Sequence, residues 1–158
     1  MIYFLIFRKI RRCISLSILE QLVTSFIASA AFGLIFNVPK RTLVHCGVVG
    51  MIGWFIYISC TELSLDTIPA TLIAAFIVTV VSQLFSKLYK TPIIVFSVSG
   101  IIPLVPGGLA YDAMRNVVED NYDIAVQLAV KAFMLSGAIA IGLIFSEVVN
   151  QLIRKTER

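Results

Sequence analysis

Charge is scarce in this chain of 158 residues: Asp, Glu, Lys and Arg make up 14% of it, against about 25% in soluble domains. There is one histidine, one tryptophan and three cysteines. Cys13, Cys46 and Cys60 are far apart and form no CxxC pair, so neither a disulfide framework nor a zinc site is indicated. No GxSxG elbow, HExxH helix or P-loop is present. A Ser/His/Asp set can be picked out from Ser97 or Ser99, His45 and Asp112, but any chain of this length offers one. The sequence predicts no catalytic residue, no metal site, no cofactor and no enzyme activity. The net charge of +4 does not point to nucleic acid, because the basic residues cluster at segment ends, as membrane flanks do.

What the chain has in abundance is apolar length. Hydrophobic residues account for 59% of it, and the mean hydropathy is +0.97. A span needs roughly 20 mostly apolar residues, so the length allows four or five spans and no soluble catalytic domain. The expected fold is an all-α, polytopic membrane helix bundle of four to five transmembrane segments. Residues 1–15 read as a basic interfacial segment lying on lipid, because the RKIRR run follows the apolar MIYFLIF instead of preceding it. Residues 16–150 form the transmembrane module, and 151–158 a basic tail.

The predicted spans are Leu16–Phe36, Leu43–Cys60, Ile68–Leu88 and Ile124–Val149, with a shorter fourth segment starting at Pro92. Ser29 and Gly33 make a small-xxx-small pair in the first, and FNVP (Phe36–Pro39) ends it. Gly47, Gly50 and Gly53 recur every three residues in the second, a spacing expected to keep them near one face for close packing. Trp54 and Tyr57 belong either to the interface or to a cavity, and His45 reads as an interfacial side chain. In the last span Gln127 and Lys131 share a face, either pointing into the bundle or with the lysine reaching back to the interface.

The organising stretch is TPIIVFSVSGIIPLVPGGLAYD (Thr91–Asp112). Its apolar part is interrupted by Pro103, Pro106, Gly107 and Gly108, which deny a helix its amide donors and add backbone freedom. A broken segment at membrane depth is tolerated only where protein or water covers it, and in transporters such segments form binding sites. The segment is either a half-helix that turns inside the protein or a kinked span. With four full spans both termini share one side; with five they lie on opposite sides. Ser97, Ser99, Gly100, Pro103, Pro106, Gly107, Gly108 and Tyr111 are the expected substrate pathway, with Asp112 or Lys131 as a titrating coupling group. So few spans enclose a pathway poorly, so a partner is expected: a second copy or another membrane protein.

FNVPKR, the glycine-spaced second span and VSGIIPLVPGGLAYDAM together resemble the threonine/serine exporter family, specifically its small YjjB-like subunits. The resemblance covers nearly the whole chain after residue 13, and PLVPGGLAY is its most specific part. It implies an inner (plasma) membrane exporter module of bacterial origin. That module works with a larger YjjP-like membrane subunit, or alternatively as a homo-oligomer. The implied substrates are small carboxylate-bearing metabolites: threonine and serine, or a dicarboxylate such as succinate. The resemblance carries PLVPGG over as pathway, with Asn37 and Pro39 as a second element. The rival expectation is a non-transporting structural or assembly subunit.

Overall fold

A computed structural model describes the backbone of residues 2–156 and the side chains of residues 17–152. The described residues form six α-helices and no strand: α1 (Ile2–Ile35), α2 (Lys40–Glu62), α3 (Thr67–Tyr89), α4 (Ile93–Ile101), α5 (Gly107–Val118) and α6 (Tyr122–Thr156). A 3-10 turn (Ile102–Leu104) follows α4. The interfacial reading of residues 1–15 falls on side chains outside the described residues, as does most of the basic tail. Ser17–Ile35, Lys40–Glu62, Thr67–Tyr89 and Tyr122–Leu152 are each long and apolar enough to cross a membrane. The expected all-helical membrane bundle is what the chain forms.

Lipid supplies no hydrophobic drive between helices, so association rests on close packing at small residues. In α2 this is literal. A Cβ added at Gly47 would stand 2.6 Å from the Phe26 ring of α1, and one at Gly50 would overlap the Ser29 hydroxyl. Gly53 instead faces Val78 of α3 and the Gly100 carbonyl of α4. The three glycines therefore do not share one face. Three residues advance a helix by about 300°, so each step falls about 60° short of a full turn and the third glycine has rotated to another neighbour. The core they frame contains Cys46, Val49, Val78 and Phe96, all fully buried.

Turns are built without glycine. Asn37, Ser64, Lys90 and Asp120 hold positive φ, whereas none of the nine glycines does. At Asn37 the amide donates to the Leu34 carbonyl (3.0 Å) and that of Val38 to the Gly33 carbonyl (3.0 Å), and Val38 is buried beneath the turn. These are the bonds of a Schellman stop. Ser64 and Asp120 terminate α2 and α5 with the same pair of bonds.

The relation of α3 to α6 settles how α4 and α5 run. Thr71 lines a cavity with Leu135, Phe76 meets Phe145, and Gln83 hydrogen-bonds Ser146. Residue numbers rise together along both helices, so α3 and α6 are parallel neighbours. The chain between them must return from the end of α3 to the opposite membrane face. Hence α4 and α5 form one span, bent by 52°, and the bundle makes five crossings. Asn37, Lys90 and the end of α6 share one face; Ser64 and Asp120 lie on the other. The first face carries Lys40, Arg41, Lys87 and Lys90 at its helix ends, and the second carries Glu62, Asp66, Glu119, Asp120 and Asp123.

On a cysteine-free background, Asn37→Cys and Lys90→Cys should label from one side of sealed vesicles with a membrane-impermeant maleimide. Ser64→Cys and Asn121→Cys should label only from the other. Helix contact gives a second expectation. A Cβ at Gly142 would lie 2.8 Å from the Leu72 carbonyl oxygen, whereas one at Gly137 would meet nothing within 4 Å. Gly142→Val should therefore cost about 1–3 kcal/mol in detergent unfolding, and Gly137→Ala close to nothing.

Candidate functional site

The break in the fourth span follows from its prolines. Pro103 has no N–H for the Ser99 carbonyl and Pro106 none for that of Ile102; the latter accepts from the Val105 amide instead (3.2 Å). Pro106, at φ −77° and ψ 51°, is the centre of an inverse γ-turn, closed by the Gly107 amide on the Val105 carbonyl at 2.7 Å. Gly107 and Gly108 then open α5 without positive φ, and a Cβ added at either would meet nothing within 4 Å. Bending comes from the prolines and the γ-turn; neither glycine adopts a conformation closed to other residues.

Two cavities meet at this break. One, of about 230 Å³, is lined by Gln21, Thr24, Ser25, Ala28, Trp54 and Pro103. The other, of about 160 Å³, lies between Trp54, Tyr57, Thr71, the Pro103–Pro106 segment, Leu109 and Leu135. Trp54 and Pro103 are common to both and form the wall between them. These volumes fall below the roughly 300–1,000 Å³ of drug-sized pockets and suit a small metabolite.

No charged side chain lines either cavity. The indole Nε1–H of Trp54 donates to Oε1 of Gln21 at 3.2 Å, joining α2 to α1 across the first cavity. Thr24, Ser25 and Thr71 donate their hydroxyls to carbonyls of their own helices, at 2.9, 3.0 and 2.7 Å. Their lone pairs remain free to accept, while the Gln21 amide retains an N–H beyond its bond to Ser17 (3.4 Å). The arrangement can hold a small polar solute through neutral hydrogen bonds.

Of the residues singled out in the sequence, Pro103 and Pro106 line these cavities. Ser99 and Gly100 lie in the packed layer beside them, against Cys46, Val49 and Val78. The Ser29 and Ser99 hydroxyls in that layer are buried and have no hydrogen-bond partner among the described residues. Ser97 is half-buried and donates to the Ile93 carbonyl (3.1 Å). Tyr111, Asp112, Gly107 and Gly108 occupy the exposed side of α5, and Lys131 with Gln127 the exposed side of α6, away from this chain's own bundle. Asn37 and Pro39 form the helix stop between α1 and α2. His45 packs in an aromatic cluster with Phe85 and Tyr89, on the opposite face of the membrane from Asp112, so the Ser/His/Asp set is not assembled. Among the described residues no group of three His, Cys, Asp or Glu could hold a metal.

Sequence reasoning missed Gln21, Ser25 and Thr71. The signal for the first two was present: Gln21, Ser25 and Ser29 recur every four residues and form one polar stripe on α1. Trp54 and Tyr57, which the sequence left between interface and cavity, line the cavity.

Comparison with known proteins matches residues 21–149 to the family described as Threonine/Serine exporter, ThrE. No solved structure matches the chain. Because Trp54 is the sole tryptophan, its fluorescence reports on both cavities. Gln21→Leu removes the acceptor of the indole N–H and should shift the emission a few nanometres to shorter wavelength, whereas Lys131→Met should leave it unchanged.

Proposed function

The chain belongs to the threonine/serine exporter family, and from that premise we propose that it is the small subunit of a secondary exporter. It works with a larger membrane subunit in a bacterial plasma membrane and carries small carboxylate-bearing metabolites, threonine and serine or a dicarboxylate such as succinate. The observation that carries this reading is the bent fourth span, whose Pro103 walls two small, mainly apolar cavities beside Trp54, the second of them shared with Pro106, into which a few hydroxyl and amide groups are set. A non-transporting subunit has no use for a span interrupted at that depth, where unpaired backbone must be covered by protein or water.

The need for a partner has its own support. Neither cavity carries a charge for a substrate carboxylate, and Gly107, Gly108 and Tyr111 stand exposed at the bend. A second chain seated there would complete the pathway and supply the ionisable group. Asp112 and Lys131, both exposed on the outer sides of α5 and α6, would then act at the subunit interface.

Efflux from preloaded cells tests the reading, with this chain expressed alone and with a larger subunit, and with threonine, serine and succinate compared. Efflux of threonine or serine that requires both chains is expected. No efflux of any of the three, with both chains verified in the membrane, would favour the structural-subunit alternative. Replacing Gly107 and Gly108 together by leucine should leave the protein inserted, since no neighbour is displaced, and reduce efflux to background.

A further inference from the structure

A third cavity, more polar than the two beside Trp54, lies at the other end of the bundle. It has a volume of about 130 Å³ and is lined by Gln83, Ser86 and Lys87 of α3, Ile93 of α4, and Glu147 and Asn150 of α6. It sits near the Lys90 face, whereas the Trp54 cavities lie toward the Ser64 face. Two side chains of opposite charge share its wall, yet Lys87 and Glu147 do not form an ion pair with each other. Among the described residues Glu147 receives amide hydrogens alone: Gln83 Nε2 reaches Oε2 at 3.4 Å and Gln151 Nε2 reaches Oε1 at 3.3 Å. The Lys87 ammonium has no hydrogen-bond or ionic partner among the described residues.

Neighbouring amides anchor the carboxylate side of this cavity, whereas Lys87 is exposed. Gln83 is buried and also donates to the carbonyl and hydroxyl of Ser146, at 3.3 and 3.4 Å, tying α3 to α6. Ser86 donates to the Thr91 carbonyl at 2.7 Å, which leaves its lone pairs toward the cavity, and Asn150 offers both a donor and an acceptor. Among the described residues, a carboxylate held only by neutral amide N–H groups and an ammonium with no ionic partner line one small space, and together they are complementary to a molecule bearing the two charges in reverse.

We propose that this cavity is a recognition site for a zwitterionic α-amino acid, with Glu147 taking the α-ammonium, Lys87 the α-carboxylate, and Ser86 or Asn150 a side-chain hydroxyl. The proposal rests on the exporter reading above and sharpens its substrate class. A dicarboxylate would satisfy Lys87 but set its second carboxylate against Glu147, a repulsion that selects amino acids over succinate.

Equilibrium binding to the purified full-length chain in detergent tests this, using threonine, succinate, threoninamide (no carboxylate) and 2,3-dihydroxybutanoate (no ammonium). The unmodified chain should bind threonine best and succinate worst. Each lost charge-assisted contact should weaken binding about tenfold or more. Glu147→Gln should weaken threonine and threoninamide but spare the hydroxy acid, and Lys87→Gln should weaken threonine and the hydroxy acid but spare the amide. A structural effect would lower all ligands alike, and that outcome overturns the assignment. So would threonine binding unchanged in both variants, or no threonine binding by the unmodified chain. Cellular efflux by the unmodified protein is read separately, so loss of this site and loss of the exporter reading are distinguishable.

Discussion

The approach of α6 to the backbone of α3 at Gly142, so close that even a methyl group there would press on the Leu72 carbonyl, governs the rest of the architecture. Two parallel helices that pack this closely cannot be joined by a short hairpin. The chain between them has to cross the bilayer once more, and the sequence available for that crossing contains Pro103 and Pro106. A continuous helix is excluded, so the crossing is made in two pieces joined by a 3-10 turn and a γ-turn. The cavities beside Trp54 are the space that such a bend leaves against straight neighbours.

The cavities lie toward opposite ends of the bundle, and between them is a packed layer of Cys46, Val49, Val78, Phe96 and Gly100. Within that layer the Ser29 and Ser99 hydroxyls are buried with no hydrogen-bond partner among the described residues. Transporter sites lie near the midplane and alternate in exposure by rocking one group of helices against another. In this structure a packed layer that includes Phe96 and Gly100 of α4 separates the cavities, so the bundle is closed at its centre.

The membrane character and the helices were legible because hydropathy reads out span length almost directly. The bend was legible too, since proline removes a donor whatever the context. Its mechanism was less so: Gly107 and Gly108 look decisive as letters, yet the γ-turn at Pro106 turns the chain and both glycines are helical. The crossing count was hidden because it depends on which helices are parallel, a long-range fact carried by Gly142 and Gln83 and not by any local pattern. The cavity lining was half visible. Pro103 and Pro106 announced themselves, but Gln21 and Thr71 become neighbours of Trp54 only after four helices have packed. Lys131, conspicuous as a charge inside an apolar run, lies on the exposed side of α6, where this chain's own sequence names no partner for it.

The distribution of glycine separates two kinds of stability. Asn37, Ser64, Lys90 and Asp120 hold a left-handed backbone, which costs Ser64 and Lys90 about 1–2 kcal/mol and Asn37 and Asp120 less, while Gly47, Gly50, Gly53, Gly100 and Gly142, which would have adopted it freely, sit instead at helix contacts. Strain is thus concentrated at the membrane surfaces and intimacy in the interior. Helices seated against one another without intervening side chains cannot slide without opening voids. A change of shape is therefore easiest at the turns and hardest at the glycine contacts of α2 and α6.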